Sequence, residues 1–130
     1  NRFDASALVY GIVANGVARC YPLRTLLRSA LSFAINDTVG GVPVVVAFDR
    51  QTQSTIGHGR RLDGKTLEFV LDDQGRLRDE LSGAVFDLDG VGVEGPFKGR
   101  RLPRLHALHA EWYGWYAAYQ DTEIWSTESR

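Results

Sequence analysis

Turn dipeptides ending in glycine punctuate the chain and limit the length of everything between them. In "LVYGIVANGVARCYPL", Leu8 to Leu23, two β-prone arms flank Asn15-Gly16, the pair a type I′ turn demands because both central positions take positive φ. This reads as a β-hairpin. Farther on, Asp63-Gly64, Gln74-Gly75, Ser82-Gly83 and Asp89-Gly90 recur at intervals of about ten residues, a spacing that means short antiparallel strands.

Between these regions, "INDTVGGVPVVVAFD" reads as a polar turn at Asn36-Asp37, a break at Gly40-Gly41 and a strand from Val42 to Phe48. Continuous apolarity implies burial on both faces, the mark of a central strand, and Pro43 is tolerated at its start where no ladder bond is needed. Leu67, Phe69 and Leu71 alternate with Thr66, Glu68 and Val70, as in a strand with one wet face.

Helical spacing appears twice. Pro22 suits a first helical position, and Leu23, Leu26, Leu27 and Leu31 predict a short helix of two turns. After Pro103, the positions Leu105, Leu108, Trp112, Trp115, Tyr116 and Tyr119 form one stripe of a longer amphipathic helix. "TEIW", Thr122 to Trp125, suggests a last edge strand, and "STESR" a tail. The expected fold is therefore a single mainly β domain over 1–130. Its antiparallel sheets curl into a barrel or sandwich around Val42 to Phe48, with both helices packed outside.

Composition bounds the function. A chain of 130 residues with 44% apolar content can bury a core, roughly two-thirds of its unfolded surface. A net charge of −1 supplies no global field for nucleic acid. The single cysteine, Cys20, builds neither an internal disulfide nor a thiolate metal site and reads as a small buried hydrophobe. No run approaches the roughly 18 apolar residues of a membrane span, so no insertion is expected. Methionine is absent even at position 1, which predicts a segment lost by processing or a piece cut from a longer chain.

Candidate sites compete with plainer readings. His106 and His109, at i and i+3, offer two nitrogens on one helix face, a poor metal site that also reads as polar flanks of the stripe. "EWYGWYAAY" can stack on a flat ligand or pack a core; only Tyr113 points off the stripe. Lys98, Arg100, Arg101 and Arg104 suit an anion or a solvated turn. "GVGVEG" has dinucleotide-loop glycines without a following helix, so nothing calls for a cofactor. Asp72, Asp73, Asp79 and Glu80 look solvated. Asp49 differs, because it follows a buried strand and needs Arg50 or a ligand as partner.

The segments "GVARCYPL", "NDTVGGVPVVV", "LDGKTLEF", "RDELSGAVFDLDGVGVEGPFKGRRL" and "DTEIW" stand in an order and spacing that resembles the family catalogued as domain of unknown function 3179. The resemblance spans about Val9 to Trp125. Typical members follow the apolar strand with Cys-Pro-Leu-Cys and place a histidine before the Asn-Asp pair, which suggests redox or soft-metal chemistry. Laid over this chain without gaps, the two thiols fall on Asp49 and Thr52 and the imidazole on Ser32. The resemblance also implies an extracytoplasmic setting.

Three functions follow as expectations. The first is a non-catalytic or ligand-binding variant of this scaffold, a domain or subunit of a larger protein, with Asp49, Arg50, Thr52, Ser32 and His58 as candidate ligand-binding residues and a small ligand or a protein as partner. The second is an enzyme with Asp49 as base or oxygen ligand, Arg50 orienting an anionic substrate, Thr52 donating and His58 carrying protons. The third is a structural or oligomerisation module that displays Tyr113 and Trp125 to a partner.

Overall fold

Asn15 and Gly16 adopt φ of 49° and 78°, and the turn they make closes β1 (Leu8–Ala14) onto β2 (Val17–Pro22). The computed structural model describes residues 3–127. After β2 come α1 (Leu23–Leu26), β3 (Phe33–Val39), β4 (Val42–Asp49) and β5 (Ser54–Gly59). Short strands follow: β6 (Arg61–Leu62), β7 (Lys65–Thr66), β8 (Phe69–Leu71), β9 (Leu77–Asp79), β10 (Val85–Phe86) and β11 (Gly92–Glu94). The last described elements are β12 (His106–Glu111), α2 (Trp112–Ala118) and β13 (Glu123–Ile124).

The strands form open sheets ordered β12-β1-β2-β13, β3-β4-β5 and β11-β10-β9-β8, with β6 and β7 as a separate pair. Among the described residues no sheet closes into a barrel; the arrangement is a sandwich. The β3-β4-β5 sheet is its middle layer. Val44, Val46 and Phe48 face Tyr10, Ile12, Tyr21 and Leu26, while Val45 and Ala47 face Phe69, Leu77 and Phe86. Successive side chains of a strand alternate faces, so β4 is apolar throughout because each face meets a different core.

A third cluster lies on the outer face of the β1–β2 hairpin, where Trp112 and Trp115 of α2 cover Val9, Ala18 and Cys20. Gly11 makes this docking possible, since a Cβ there would overlap the Trp115 ring. Gly40, at φ 56°, is equally constrained, because its Cβ would strike the Ala14 carbonyl. The two hairpins touch at that point, and the Asn15 side-chain amide donates to the Gly40 carbonyl at 2.8 Å.

Buried polar groups join the layers. The Arg60 guanidinium donates to the carbonyls of Val44, Leu67 and Asp37 at 2.8–3.0 Å and to the Glu68 carboxylate at 3.2 Å, so its buried charge is met by backbone oxygens and one ion pair. Asp37 accepts from Arg19 and from the Tyr21 hydroxyl, each at 2.7 Å. Burial alone would raise the Asp37 pKa, but Arg19 and Tyr21 outweigh it and hold the carboxyl below its ordinary value.

Several sequence expectations are corrected. Asn36 and Asp37 lie inside β3, and the turn is Gly40-Gly41. The Asn36 side chain acts as a backbone surrogate, donating to the Phe69 carbonyl at 2.8 Å and accepting from the Phe69 N–H at 2.9 Å. The first helix is one turn, with Pro22 as its extended N-cap, and Leu31 is exposed. The strand predicted through Leu67 to Leu71 is interrupted, because the Leu67 N–H turns to the Arg60 carbonyl.

The C-terminal stripe is also divided. His106 to Glu111 pairs antiparallel with β1, and the helix begins only at Trp112, whose N–H donates to the Ala7 carbonyl at 2.7 Å. Trp125, expected on display, is 3% exposed and packs against Tyr21 and Phe33. Asp79, expected in solvent, is buried at the end of β9. Burial raises its pKa, but bonds from the Glu68 N–H and from the Ser82 hydroxyl and N–H dominate and lower it. The predicted tail lies outside the described residues from 128 onward.

Candidate functional site

β4 delivers Asp49 to the start of a tight connection, with Asp49 opposite Ser54 and Gln53 at φ 57° between them. The Asp49 carboxylate organises this corner. It accepts from the Thr52 hydroxyl at 2.7 Å, and from the Ser32 hydroxyl and the Gln51 N–H, each at 3.3 Å. Ser32 Oγ in turn accepts from the Arg50 N–H at 2.8 Å. Thr52 and Ser54 hydroxyls lie 2.6 Å apart; with the Thr52 proton on Asp49, Ser54 is the donor.

These bonds lower the Asp49 pKa, the Thr52 hydroxyl contributing most, with slight burial opposing it. An aspartate holding its own turn in this way is a turn former before it is a base. Arg50 points elsewhere, its guanidinium donating to the Leu27 carbonyl at 2.9 Å and tying α1 to the corner.

His58 does not join this group. It pairs with Val45, four residues along β4 from Asp49, a separation of about 13 Å at strand rise. Its ring is buried under Gly90, with Nε2 2.7 Å from the Leu88 carbonyl. A carbonyl only accepts, so Nε2 carries the proton and the histidine pins β5 to the turn before β11.

The remaining candidates separate similarly. His106 and His109 lie on a strand, where i and i+3 fall on opposite faces, and the His109 ring packs edge-on against Tyr10. Arg100 is engaged by Asp63 in two bonds of 2.8 and 2.9 Å. Among the described residues, no three histidine, cysteine, aspartate or glutamate side chains are grouped to hold a metal ion. None of the described helices is long and apolar enough to cross a membrane.

A cleft of about 450 Å³ opens beside the Asp49 corner. Ser32, Asp49 and Gln51 line it from the β4 corner, Asp72, Asp73 and Gln74 from the β8–β9 turn, and Phe48, Leu71 and Leu88 add apolar lining. Asp72 is occupied by Arg76, which donates to it from Nε at 2.9 Å and from its backbone N–H at 2.8 Å. Asp73 is exposed and has no such partner among the described residues. Sequence reasoning chose Ser32 and Asp49 but passed over Asp73 and Gln74, because a charged Gln-Gly turn looks the same whether it faces bulk water or a cleft. Arg50, Thr52 and His58 do not line it.

The model of the family described as Protein of unknown function (DUF3179) matches residues 1–130. The chain belongs to this family. No curated protein and no solved structure matches it. Within this DUF3179 chain, the positions onto which the resemblance puts two thiols and an imidazole are Asp49, Thr52 and Ser32. The hydrogen bonds above bring those three side chains into one contact group.

Proposed function

We propose that this DUF3179 chain is a non-catalytic, ligand-binding member of its family, working as a domain or subunit of a larger extracytoplasmic protein. One observation carries the reading: Ser32, Asp49 and Thr52 meet at the corner after β4 and satisfy one another there. Hydroxyls and a carboxylate engaged in holding a turn supply neither a thiolate nor a poised base. The acid/base alternative also loses its proton carrier, since His58 sits far along β5 with its Nε2 proton on the Leu88 carbonyl.

The ligand belongs in the adjacent cleft. Its lining carries the carboxylates of Asp49, Asp72 and Asp73 and the amides of Gln51 and Gln74, beside apolar side chains. Acceptors outnumber donors there, so the fitting partner is a small amine or polyol that donates hydrogen bonds from its rim and lays carbon on Leu71 and Leu88.

Two titrations test this. Calorimetry with a panel of small amines and polyols should find saturable binding that is lost in Asp73→Asn combined with Gln74→Ala. A panel with no binder overturns the ligand assignment. The protein should also fail to take up zinc or cadmium, whereas Asp49→Cys with Thr52→Cys should bind one cadmium ion with thiolate absorbance. Tight stoichiometric metal binding by the unmodified chain overturns the non-catalytic reading.

A second reading rests on Tyr113, 71% exposed on α2, with Tyr116, Leu108 and Leu8 also exposed. Such surface suits an assembly role, and sedimentation would separate a stable oligomer from a monomer.

A further inference from the structure

A second cavity, distinct from the cleft beside Asp49, lies where the free edge of β5 passes over the β1–β2 hairpin. It measures about 80 Å³ and is walled by Tyr10, Tyr21, Leu23, Gln53, Thr55 and His109, among others. Thr55 is only 6% exposed and Tyr10 7%, so little of either residue reaches solvent. Among the described residues, no partner meets the Thr55 hydroxyl.

The strand's parity shows where the Thr55 backbone groups point. The Arg60 N–H donates inward to Pro43 of β4, whereas the Gly57 and Gly59 N–H groups donate outward, to the Tyr10 hydroxyl at 2.9 Å and the Pro103 carbonyl at 2.8 Å. Alternation then aims the Thr55 N–H and carbonyl outward as well, and the edge has no partner strand there. No partner for either group is found among the described residues. Gly57 and Gly59 are capped by the protein itself, and Thr55 is the uncapped position.

Tyr10 adds a directed proton. Its oxygen already accepts from Gly57, and burial pushes its pKa up, so the phenol stays protonated. Its O–H has no acceptor among the described residues. The two wall residues thus leave Tyr10 O–H, Thr55 O–H and Thr55 N–H as donors and the Thr55 carbonyl as an acceptor without partners among the described residues.

We infer that this cavity is a binding site for a small neutral amide group, whose carbonyl oxygen takes the Tyr10 and Thr55 donors and whose N–H meets the Thr55 carbonyl. Charge decides between an amide and a carboxylate. Neither lysine nor arginine lines the cavity, and its one imidazole, His109, packs edge-on against Tyr10; a carboxylate there would lack a permanent cation, which is far more costly than a hydrogen-bonded neutral group. Size restricts the occupant to a few heavy atoms, the space of two or three waters at about 30 Å³ each. Tyr21 and Leu23 give its carbon end an apolar wall.

The test is a titration of the ¹⁵N-labelled full chain with propionamide, and separately with sodium propionate at matched ionic strength, followed at the Thr55 amide resonance. Propionamide should move that resonance saturably, in the millimolar range, while propionate leaves it in place. Thr55→Val, which keeps shape and fold, should weaken the binding about fivefold, as loss of one neutral hydrogen bond does; Tyr10→Phe should weaken it likewise. No saturable shift with propionamide, an equal shift with propionate, or undiminished binding in Thr55→Val would each overturn the inference.

Discussion

The Thr52 hydroxyl donates to the Asp49 carboxylate at 2.7 Å, across three residues of the connection between β4 and β5. This bond is the main reason the Asp49 pKa lies below its ordinary value. Thr52→Val removes the donor while preserving shape, so the Asp49 titration midpoint should rise toward the ordinary aspartate range. Carboxyl NMR across acidic pH measures it. An unmoved midpoint would show that the corner is held by other groups.

Acid stability follows from the depressed carboxyls of Asp37 and Asp79. Their folded pKa values lie below the unfolded value of about 3.9. In that window the unfolded chain binds more protons, so stability rises with pH. The contribution is complete above about pH 5 and is lost as pH falls through the folded values. Asp79→Asn should lower stability at neutral pH and flatten the acid limb of urea midpoints. An unchanged slope would show that Asp79 is not linked to folding.

Gly11→Ala tests the docking of α2 on β1. Its Cβ would enter the space of the Trp115 ring, and overpacking of this kind costs about 1–3 kcal/mol. Urea unfolding should register the loss, and combining it with Trp115→Phe should recover part of it. A single variant as stable as the parent would contradict the packing described.

Asn36→Ala strips the partner from both the Phe69 N–H and the Phe69 carbonyl. Leaving two such groups unsatisfied should cost about 2–4 kcal/mol. Asn36→Asp should be no better, since a carboxylate repels the Phe69 carbonyl even while accepting from the N–H. Denaturant midpoints for the two variants decide it, and tolerance of Asp would rule out the surrogate role.

The same residues mark where sequence reading succeeded. Asn15-Gly16, Gly40-Gly41 and the later glycine dipeptides sit at turns because positive φ is a local cost, legible within a few residues. Val42 to Phe48 announced a two-sided strand because burial on both faces leaves no polar position. The family resemblance singled out Ser32 and Asp49 as candidate positions, and their side chains share a hydrogen bond.

Other features depended on partners far along the chain. His106 to Glu111 carries helical spacing but becomes a strand, because the open edge of β1 offers six register partners and their hydrogen bonds. Asn36 and Asp37 look like a turn but stay extended, because Phe69, Arg19 and Tyr21 receive their side chains. His58 stands only a few residues past Thr52, yet the strand register sets it opposite Val45, and the Leu88 carbonyl holds its ring there. The Asp73 wall of the cleft and the uncapped Thr55 edge come from segments brought together only by layering. The sequence by itself determined where the chain turns and which strand is buried on both faces, since conformational cost and apolarity are local. Tertiary structure decided which polar groups meet and which remain open to a ligand, since those pairings are set by contacts between distant segments.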